Sequence, residues 1–476
     1  MSVLIAAPCS GSGKTLLSLC LTALARQRGA GIQTFKVGPD YLDPQLLTAV
    51  ADRPCRNLDT LLCGSAWVRR SHAWYGGRAD RVLVEGVMGL FDGRGPGSEA
   101  SSAEVASLLD LPVVLVVEAS RQAGSLAALV RGFRDHGPPR VRLAGVVLNR
   151  VAGERHEQLL RHALAAIGMP VLGVLPVDPA LALPSRHLGL HTPGEIHDLV
   201  ERRQRWAALA ERHLDLERLW PLLEPPVAAG DGQDPIRWCL GPSTAQPPPS
   251  ADRPPTADRP PTVAIASDAA FHFRYPEARE LLAAAGLRPV AWSPLADQPL
   301  PPGTAAVLLP GGYPELHGAA LAAARRSLAD LRDAAGRGVP IVAECGGLLL
   351  LGRSLRDSDG RDHALAGVLP LQAAPGSLSL GYRQAMPLAD GLLVRRRQPL
   401  WGHEFHRWQI EGPAAGRLWQ LEGWGVPTRP EGWGGPTLHA SWLHLHWSGQ
   451  PALVRRLAAA AMLCQREQED REAPDR

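Results

Sequence analysis

The segment Ala7-Pro-Cys-Ser-Gly-Ser-Gly-Lys-Thr15 follows an apolar run, Val3–Ala7, and leads into a leucine-rich stretch at helical spacing, Leu16–Arg28. A strand that enters a loop of small residues and then opens a helix turns backbone N–H groups toward an anion at the positive end of the helix dipole. Such a loop binds phosphates: Ser10, Gly11, Ser12 and Gly13 form the cradle, Lys14 reaches the β- and γ-phosphates of ATP, and the Thr15 hydroxyl ligates Mg2+. The position usually held by the first glycine is Ala7, so the motif is a relaxed form.

Beyond this loop the same alternation continues. Apolar β-branched runs at Thr34–Val37, Arg81–Glu85, Val113–Glu118, Ala144–Leu148 and Val171–Leu175 are separated by helical stretches such as Ala100–Leu109 and Glu154–Ile167. Continuous apolar strands between helices predict an α/β fold, here an N-terminal parallel-sheet P-loop domain with helices on both faces. Ligands bind such sheets at the carboxyl ends of the strands. Lys36 ends the second predicted strand in FKVGPDYLDP, and Glu85 ends the third in VLVEGVMGLFDG. Asp40 and Glu85 are candidate Mg2+ ligands, directly or through water. Asp43 and Asp92, beside proline and glycine, read as turn residues. Asn149 either reads a base edge of the nucleotide or forms a turn.

Of the 50 basic residues all but two are arginine, and the two lysines are Lys14 and Lys36. A lysine kept in so arginine-biased a chain marks a place where a compact ammonium fits and a planar guanidinium does not. The 476 residues favour two or three domains, and 45% hydrophobic with 20% charged residues suit chains with sizeable cores. A net charge of +3 is too balanced for a nucleic-acid surface, and no apolar run approaches a bilayer span. The start, MSVLIAAPCS, lacks a basic n-region, and the seven cysteines are an odd number with no C-x-x-C pair. Together these predict a chain of the reducing cytoplasm, without disulfides or structural zinc.

From Pro221 to Thr262 there are 12 prolines in 42 residues, including the tandem ADRPPT repeat at 251–262. This stretch reads as an extended linker. The α/β pattern then restarts: strand Thr262–Ser267, helix Pro276–Ala285, strand Ala306–Leu309, helix Leu316–Gly336, strand Val339–Ala343. Residues 361–447 are glycine- and tryptophan-rich and suggest antiparallel strands, before a helix at 451–466. The last strand of the α/β run leads to Glu344-Cys345-Gly346-Gly347 and an apolar helix. A cysteine on a tight strand-to-helix turn lies at the positive end of a helix, which lowers its pKa and exposes its sulfur. Its glycines let backbone N–H groups, Gly346 among them, approach an oxyanion. Leu309-Pro-Gly-Gly-Tyr-Pro-Glu315, with Gly311 and Gly312, offers a second donor loop. His444 in ASWLHLHW is the best candidate base, with His446 two residues on. His403 and His406 in GHEFHRW read as substrate contacts or core groups.

Taken in order, SGSGKT, FKVGPDYLDP, EGVMGLFDG, LPSRHLGL, PGGYPELH, ECGGL, GYR, GHEFHRW and ASWLHLHW resemble the cobyrinic acid a,c-diamide synthase family, over about residues 2–457. The N-terminal half is similar to dethiobiotin-synthetase-like domains and the C-terminal half to class I glutamine amidotransferase domains of the cobyric acid type. The resemblance implies phosphorylation of a substrate carboxylate with ATP and Mg2+, and attack on the acyl phosphate by ammonia from L-glutamine. It implies Cys345 as the thioester-forming nucleophile, His444 as its activator and Lys36 as a catalytic group. By the same resemblance, Gly311, Gly312, Tyr313 and Gly346 serve the oxyanion and the bound glutamine. Many class I glutaminases carry a glutamate where this chain has His446, so the site resembles a Cys-His dyad. The implied domains are 1–220 for ATP and the tetrapyrrole carboxylate, 221–262 as linker, 263–457 for glutamine, and 458–476 as helix end and charged tail. The expected partners are small molecules: ATP, L-glutamine and cobyrinic acid. Hydrogenobyrinic acid or a nickel sirohydrochlorin are alternative acceptors, and a regulatory nucleotide-binding protein is the non-enzyme alternative. Neither nucleic acid nor membrane is expected, and homo-oligomerisation is left open.

Overall fold

The computed structural model describes residues 2–178, 185–186, 189–190, 192–227, 232–241, 259–411 and 418–472. The chain divides into two compact units, Met1–Pro235 and Ile236–Arg476.

Seven strands build the first unit: β1 (Val3–Ala6), β2 (Ile32–Val37), β3 (Arg56–Leu58), β4 (Arg81–Glu85), β5 (Pro112–Glu118), β6 (Arg142–Val151) and β7 (Val171–Pro176). They form one sheet in the order β3-β2-β4-β1-β5-β6-β7, and every pairing is parallel. Apolar residues on both sides of each strand need cover on both faces, and two separate cores supply it. Helices α1 (Lys14–Gln27), α2 (Leu42–Ala51) and α7 (Leu199–His213) pack one face through Leu17, Leu24, Leu47 and Trp206. The other face carries α3 (Ser65–Gly76), α4 (Ser102–Leu109), α5 (Ser125–Asp135) and α6 (Glu154–Ala165), through Val68, Val105, Leu126 and Leu160. Strand β1 lies between β4 and β5, where the chain turns from one side of the sheet to the other, and such a reversal opens a crevice at the carboxyl ends. Register puts Ile5 and Lys36 both opposite Glu85.

The second unit repeats the theme around β8 (Thr262–Ala266), β9 (Arg288–Trp292), β10 (Thr304–Leu309) and β11 (Ile341–Glu344). With β14 (Trp433–Gly434) and β15 (Leu438–Ser441) these form a six-stranded sheet in the order β9-β8-β10-β11-β15-β14, in which only the β14–β15 pair is antiparallel. A mostly antiparallel sheet is built on the pair β12 (Gln372–Pro387) and β13 (Leu400–Glu411), with Tyr382 opposite His403 and Gly381 opposite Glu404.

The segment 221–262 differs from an extended linker. Trp220–Leu223 forms a 3-10 turn whose Leu223 is fully buried in the first core, and Pro235–Leu240 forms a helix, α8. Helix α8 docks on the second unit: Cys239 Sγ donates to the Ser448 carbonyl at 3.1 Å and Arg455 donates to the Leu240 carbonyl at 3.0 Å. Residues 228–231 and 242–258 lie outside the described residues, as does half of LPSRHLGL. The stretch read as one helix, Leu316–Gly336, is broken at Ala324 (ψ 62°) into Gly318–Ala323 and Arg325–Gly336. Among the described residues no helix is long and apolar enough to cross a membrane.

Candidate active sites

In the first unit the phosphate loop ends on Gly13, whose φ of +109° caps α1 from the left-handed region that glycine tolerates. Ser10 and Gly11 stand exposed at the rim, whereas Ser12 is buried and bonds inward to the Cys9 carbonyl at 3.0 Å. Asn149, at the end of β6, donates its amide to the Ser12 carbonyl at 2.9 Å. A Cβ on Gly13 would lie 2.3 Å from that amide nitrogen. The Asn149 side chain therefore props the loop from behind with one of its amide hydrogens. Lys14 crosses the loop to donate to the Met88 carbonyl at 2.6 Å, and burial, then the charge of Lys36, lowers its pKa. Met88 holds a φ of +48°, a strained conformation within the loop after β4. Asp92 accepts from the Gly89 N–H at 2.7 Å and is the turn residue the sequence predicts.

Three carboxylates surround Lys36. Its Nζ lies 2.7 Å from Glu85 Oε1, 2.6 Å from Asp43 Oδ2 and 3.7 Å from Asp40 Oδ2, and it also donates to the Gly86 carbonyl at 3.1 Å. Asp43, read from the sequence as a turn residue, is thus inside the cluster. Asp40, read as a metal ligand, accepts from the Leu42 N–H at the start of α2 at 2.9 Å. The reason is helical geometry: α2 begins at Leu42, so Asp40 meets its free N–H groups and Asp43, in its first turn, reaches back to Lys36. Burial pushes Asp40 up to about 7, aided by the charge of Asp43. Burial works in the same direction on Asp43, but Lys36 outweighs it and holds that carboxyl below its ordinary value. Lys36 itself, against the penalty of burial, is raised well above the usual lysine range by Asp43, Glu85 and Asp40.

The Thr15 hydroxyl donates to Glu85 Oε1 at 2.9 Å, while Glu85 Oε2 is buried with no hydrogen-bond partner among the described residues. Hydroxyl and carboxylate oxygens with one orphaned acceptor form a donor set that fits a hard divalent cation. Among the described residues no group of three or more His, Cys, Asp and Glu side chains forms a metal cage. Mg2+ takes one or two carboxylates and completes its shell with water and nucleotide phosphates. Thr15 and Glu85 would hold it.

In the second unit Cys345 sits on the turn between β11 and the helix Gly346–Leu350, with φ +48° and ψ −107°. Strain of this kind needs an over-determined surrounding. It is supplied by the Cys345 N–H donating to Ser441 O at 2.7 Å and by close packing at the glycines. A Cβ on Gly347 would fall 2.0 Å from the Leu309 carbonyl oxygen, and one on Gly346 3.0 Å from the Gly312 nitrogen. A Cβ on Gly311 would fall 2.4 Å from the His444 ring. Cys345, Gly346, Gly311, Gly312 and His444 are therefore brought together, with Tyr313 buried beside them and packed edge-on to Phe273 at 4.9 Å. The Gly346 N–H points at the Cys345 sulfur.

The electrostatics differ from expectation. Burial, followed by the charge of Glu315, pushes the Cys345 thiol well above its usual range, and only 4% of the residue is exposed. Desolvation outweighs the helix end, which is only one short turn long. Burial likewise lowers His444 to about 3, so that its imidazole is neutral at pH 7. A neutral thiol near a neutral imidazole passes its proton on only as bond formation begins.

His403, at the end of an isolated bridge to His444, is buried and packs edge-on to Tyr382 at 5.5 Å. His406 stacks on Trp442 at 3.9 Å and its Nδ1 lies 2.7 Å from the Trp408 carbonyl. His403 is thus a core group, whereas His406 is half-buried. His446 stacks on Tyr275 at 4.1 Å, with Nε2 4.0 Å from Glu277 Oε2. Sequence reasoning passed over Glu404, which lies between them in GHEFHRW. It is fully buried and accepts from Arg383 Nε at 2.7 Å, Ser379 Oγ at 3.1 Å and Arg429. Its signal was present as an acid in an otherwise apolar strand position facing an arginine two residues from its register partner, Gly381.

The family model "CobQ/CobB/MinD/ParA nucleotide binding domain" matches residues 3–190, and "CobB/CobQ-like glutamine amidotransferase domain" matches residues 262–452. The chain is 43% identical over 460 residues to a cobyrinate a,c-diamide synthase of Gloeobacter violaceus, covering 96% of each. It is 39% identical to one from Synechococcus sp., covering 97% of this chain and 98% of the relative. To a hydrogenobyrinate a,c-diamide synthase of Streptomyces coelicolor it is 42% identical, covering 95% and 96%.

Proposed function

The chain belongs to the cobyrinate and hydrogenobyrinate a,c-diamide synthase family, and we propose that it amidates the a- and c-carboxylates of cobyrinate with ATP and glutamine. As a carbon–nitrogen ligase with a nucleotide-binding domain it requires ATP with a metal ion, and we take that ion to be Mg2+. The ion screens the phosphate charge when bound. In the first unit a substrate carboxylate oxygen attacks the γ-phosphorus of ATP, ADP leaves, and an acyl phosphate forms. Loop N–H groups from Ser10 to Gly13 and the Lys14 ammonium hold the phosphates, and Lys36 offsets the charge that develops between carboxylate and phosphoryl group. In the second unit the Cys345 sulfur attacks the glutamine carboxamide carbon while its proton passes to His444. The Gly312 and Gly346 N–H groups receive the oxyanion, His444 protonates the departing ammonia, and water then hydrolyses the thioester to glutamate. Ammonia attacks the acyl carbon and phosphate leaves, once for each carboxylate.

One observation carries this: a phosphate-activating cluster and a strained, buried thiol elbow occur in the same chain. Either alone suits other enzymes, whereas together they make a leaving group and a nitrogen nucleophile. The test offers cobyrinic acid, hydrogenobyrinic acid and nickel sirohydrochlorin separately with ATP, Mg2+ and glutamine, and weighs the products by mass spectrometry. Gain of two amide groups on cobyrinic acid is the expected result; faster conversion of either alternative would replace the acceptor.

A further inference from the structure

The catalytic histidine is borne by a segment outside the sheet, so the partners of its backbone decide where its ring stands. Past β15 the Trp442 N–H donates to Glu431 Oε1 at 3.0 Å, and the Leu443 N–H to Ser441 Oγ at 2.9 Å, a hydroxyl itself held by Glu431 Oε2 at 2.5 Å. The His444 N–H donates to the His403 carbonyl at 2.9 Å, and His403 returns a bond of 3.0 Å to the His444 carbonyl. The Leu445 N–H, next along the chain, is turned toward the carboxyl group of Glu344. The same carboxyl takes the Trp447 indole N–H on Oε1 at 3.4 Å. Glu344 is the last residue of β11 and adjoins Cys345 in the chain.

We propose that Glu344 is a positioning residue for glutamine hydrolysis: by holding the Leu445 amide and the Trp447 indole it fixes His444 relative to Cys345. The inference rests on the proposed Cys345–His444 chemistry. One carboxyl group links the residue before the nucleophile to the residue after the base, so any slack at Glu344 appears directly in the sulfur-to-imidazole geometry. Burial pushes the Glu344 carboxyl up to about 8, so near neutrality it is largely protonated and accepts through its carbonyl oxygen. A glutamine amide imitates that state in length and acceptor. Aspartate keeps the acid but falls one methylene short.

The experiment follows glutamate release and ammonium-driven amidation in Glu344→Gln, Glu344→Asp and Glu344→Ala, with Cys345→Ala alongside. Misplacement by about 1 Å costs roughly 100-fold in rate. The expected result is a fall in kcat of that order for the Asp and Ala variants with KM for glutamine little changed. Glu344→Gln should stay near wild type, and amidation from ammonium salts should be intact in all three. Wild-type kcat in Glu344→Ala, or a Gln variant as slow as the Asp variant, overturns the proposal. Should Glu344→Ala fail to fold, the Gln–Asp pair decides alone. Glutamine turnover surviving in Cys345→Ala would overturn the Cys345 chemistry itself, whatever the Glu344 series gave.

Discussion

At Lys36 a point charge is shared among Asp43, Glu85 and the Gly86 carbonyl within 3.1 Å, a spacing that a planar guanidinium cannot reproduce. Lys36→Arg should therefore lower kcat of ammonium-driven amidation by about two orders of magnitude with the fold unchanged; wild-type turnover would remove Lys36 from the chemistry. Gly13→Ala should weaken nucleotide binding roughly tenfold or more, because its methyl displaces the Asn149 amide that braces the loop. A binding isotherm for ATP checks this. Glu404 supplies a pH test. Burial alone would raise its carboxyl, but hydrogen bonding to His406 and the charges of Arg429, His406 and Arg383 hold it down to about 2, from an ordinary value of 4.5. An acid lowered in the folded state contributes stability above its unfolded pKa and loses it as pH falls toward the folded one. The second unit should thus lose on the order of 3 kcal/mol between pH 4.5 and 2, and denaturant unfolding of Glu404→Gln should show a flatter slope there. Lys14 and Cys345 stood out because each sits in a local pattern of strand, loop and glycine, and His444 because it follows a short apolar strand. Asp43 did not, because the proline after it reads as a turn signal, nor did Glu404, since its partners Arg383 and Arg429 arrive from other strands and a lone sequence carries no pairing information.

Among elements, the short helix after Cys345 shows how tightly the elbow is built. Gly347 lies against the Leu309 carbonyl, so Gly347→Ala must push the helix off β10 or bend the strand. The expected loss is about 1–3 kcal/mol of stability, read from thermal or denaturant unfolding, with glutaminase activity falling further than the stability change explains. An unshifted midpoint would contradict the close approach. Long apolar strands such as β5 and β6 were plain from composition. Strand β3 was not: it has three residues, and Arg56 and Asn57 precede its single leucine. Helix α2 escaped for a related reason, because LDPQLLTAVA carries a proline in its first turn, where it is tolerated but reads as a turn signal. The break at Ala324 escaped because alanine carries no mark of a helix stop.

For the whole molecule the prediction is separability of the two chemistries. Cys345→Ser should abolish glutamine-dependent amidation and leave amidation from ammonium salts, since the acyl phosphate forms in the first unit. Loss of both in a well-folded variant would contradict the division of labour. The position of α8 has a consequence for connectivity. Because Pro235–Leu240 is anchored on the second unit, the proline repeat begins and ends on the same body, so the leash between the two bodies is only the short run after Leu223. The repeat is flanked on both sides by residues of the second unit. Its feet, Leu240 and Arg259, are held by Arg455 and Gln465 on the closing helix Pro451–Glu472. Ten helical residues put those anchors roughly 15 Å apart. A bridge of about eight glycine and serine residues in place of 242–258 can span that gap. Such a splice should leave the ratio of glutamate to diamide at its wild-type value, whereas lengthening 224–234 is the change that would alter how often one body meets the other.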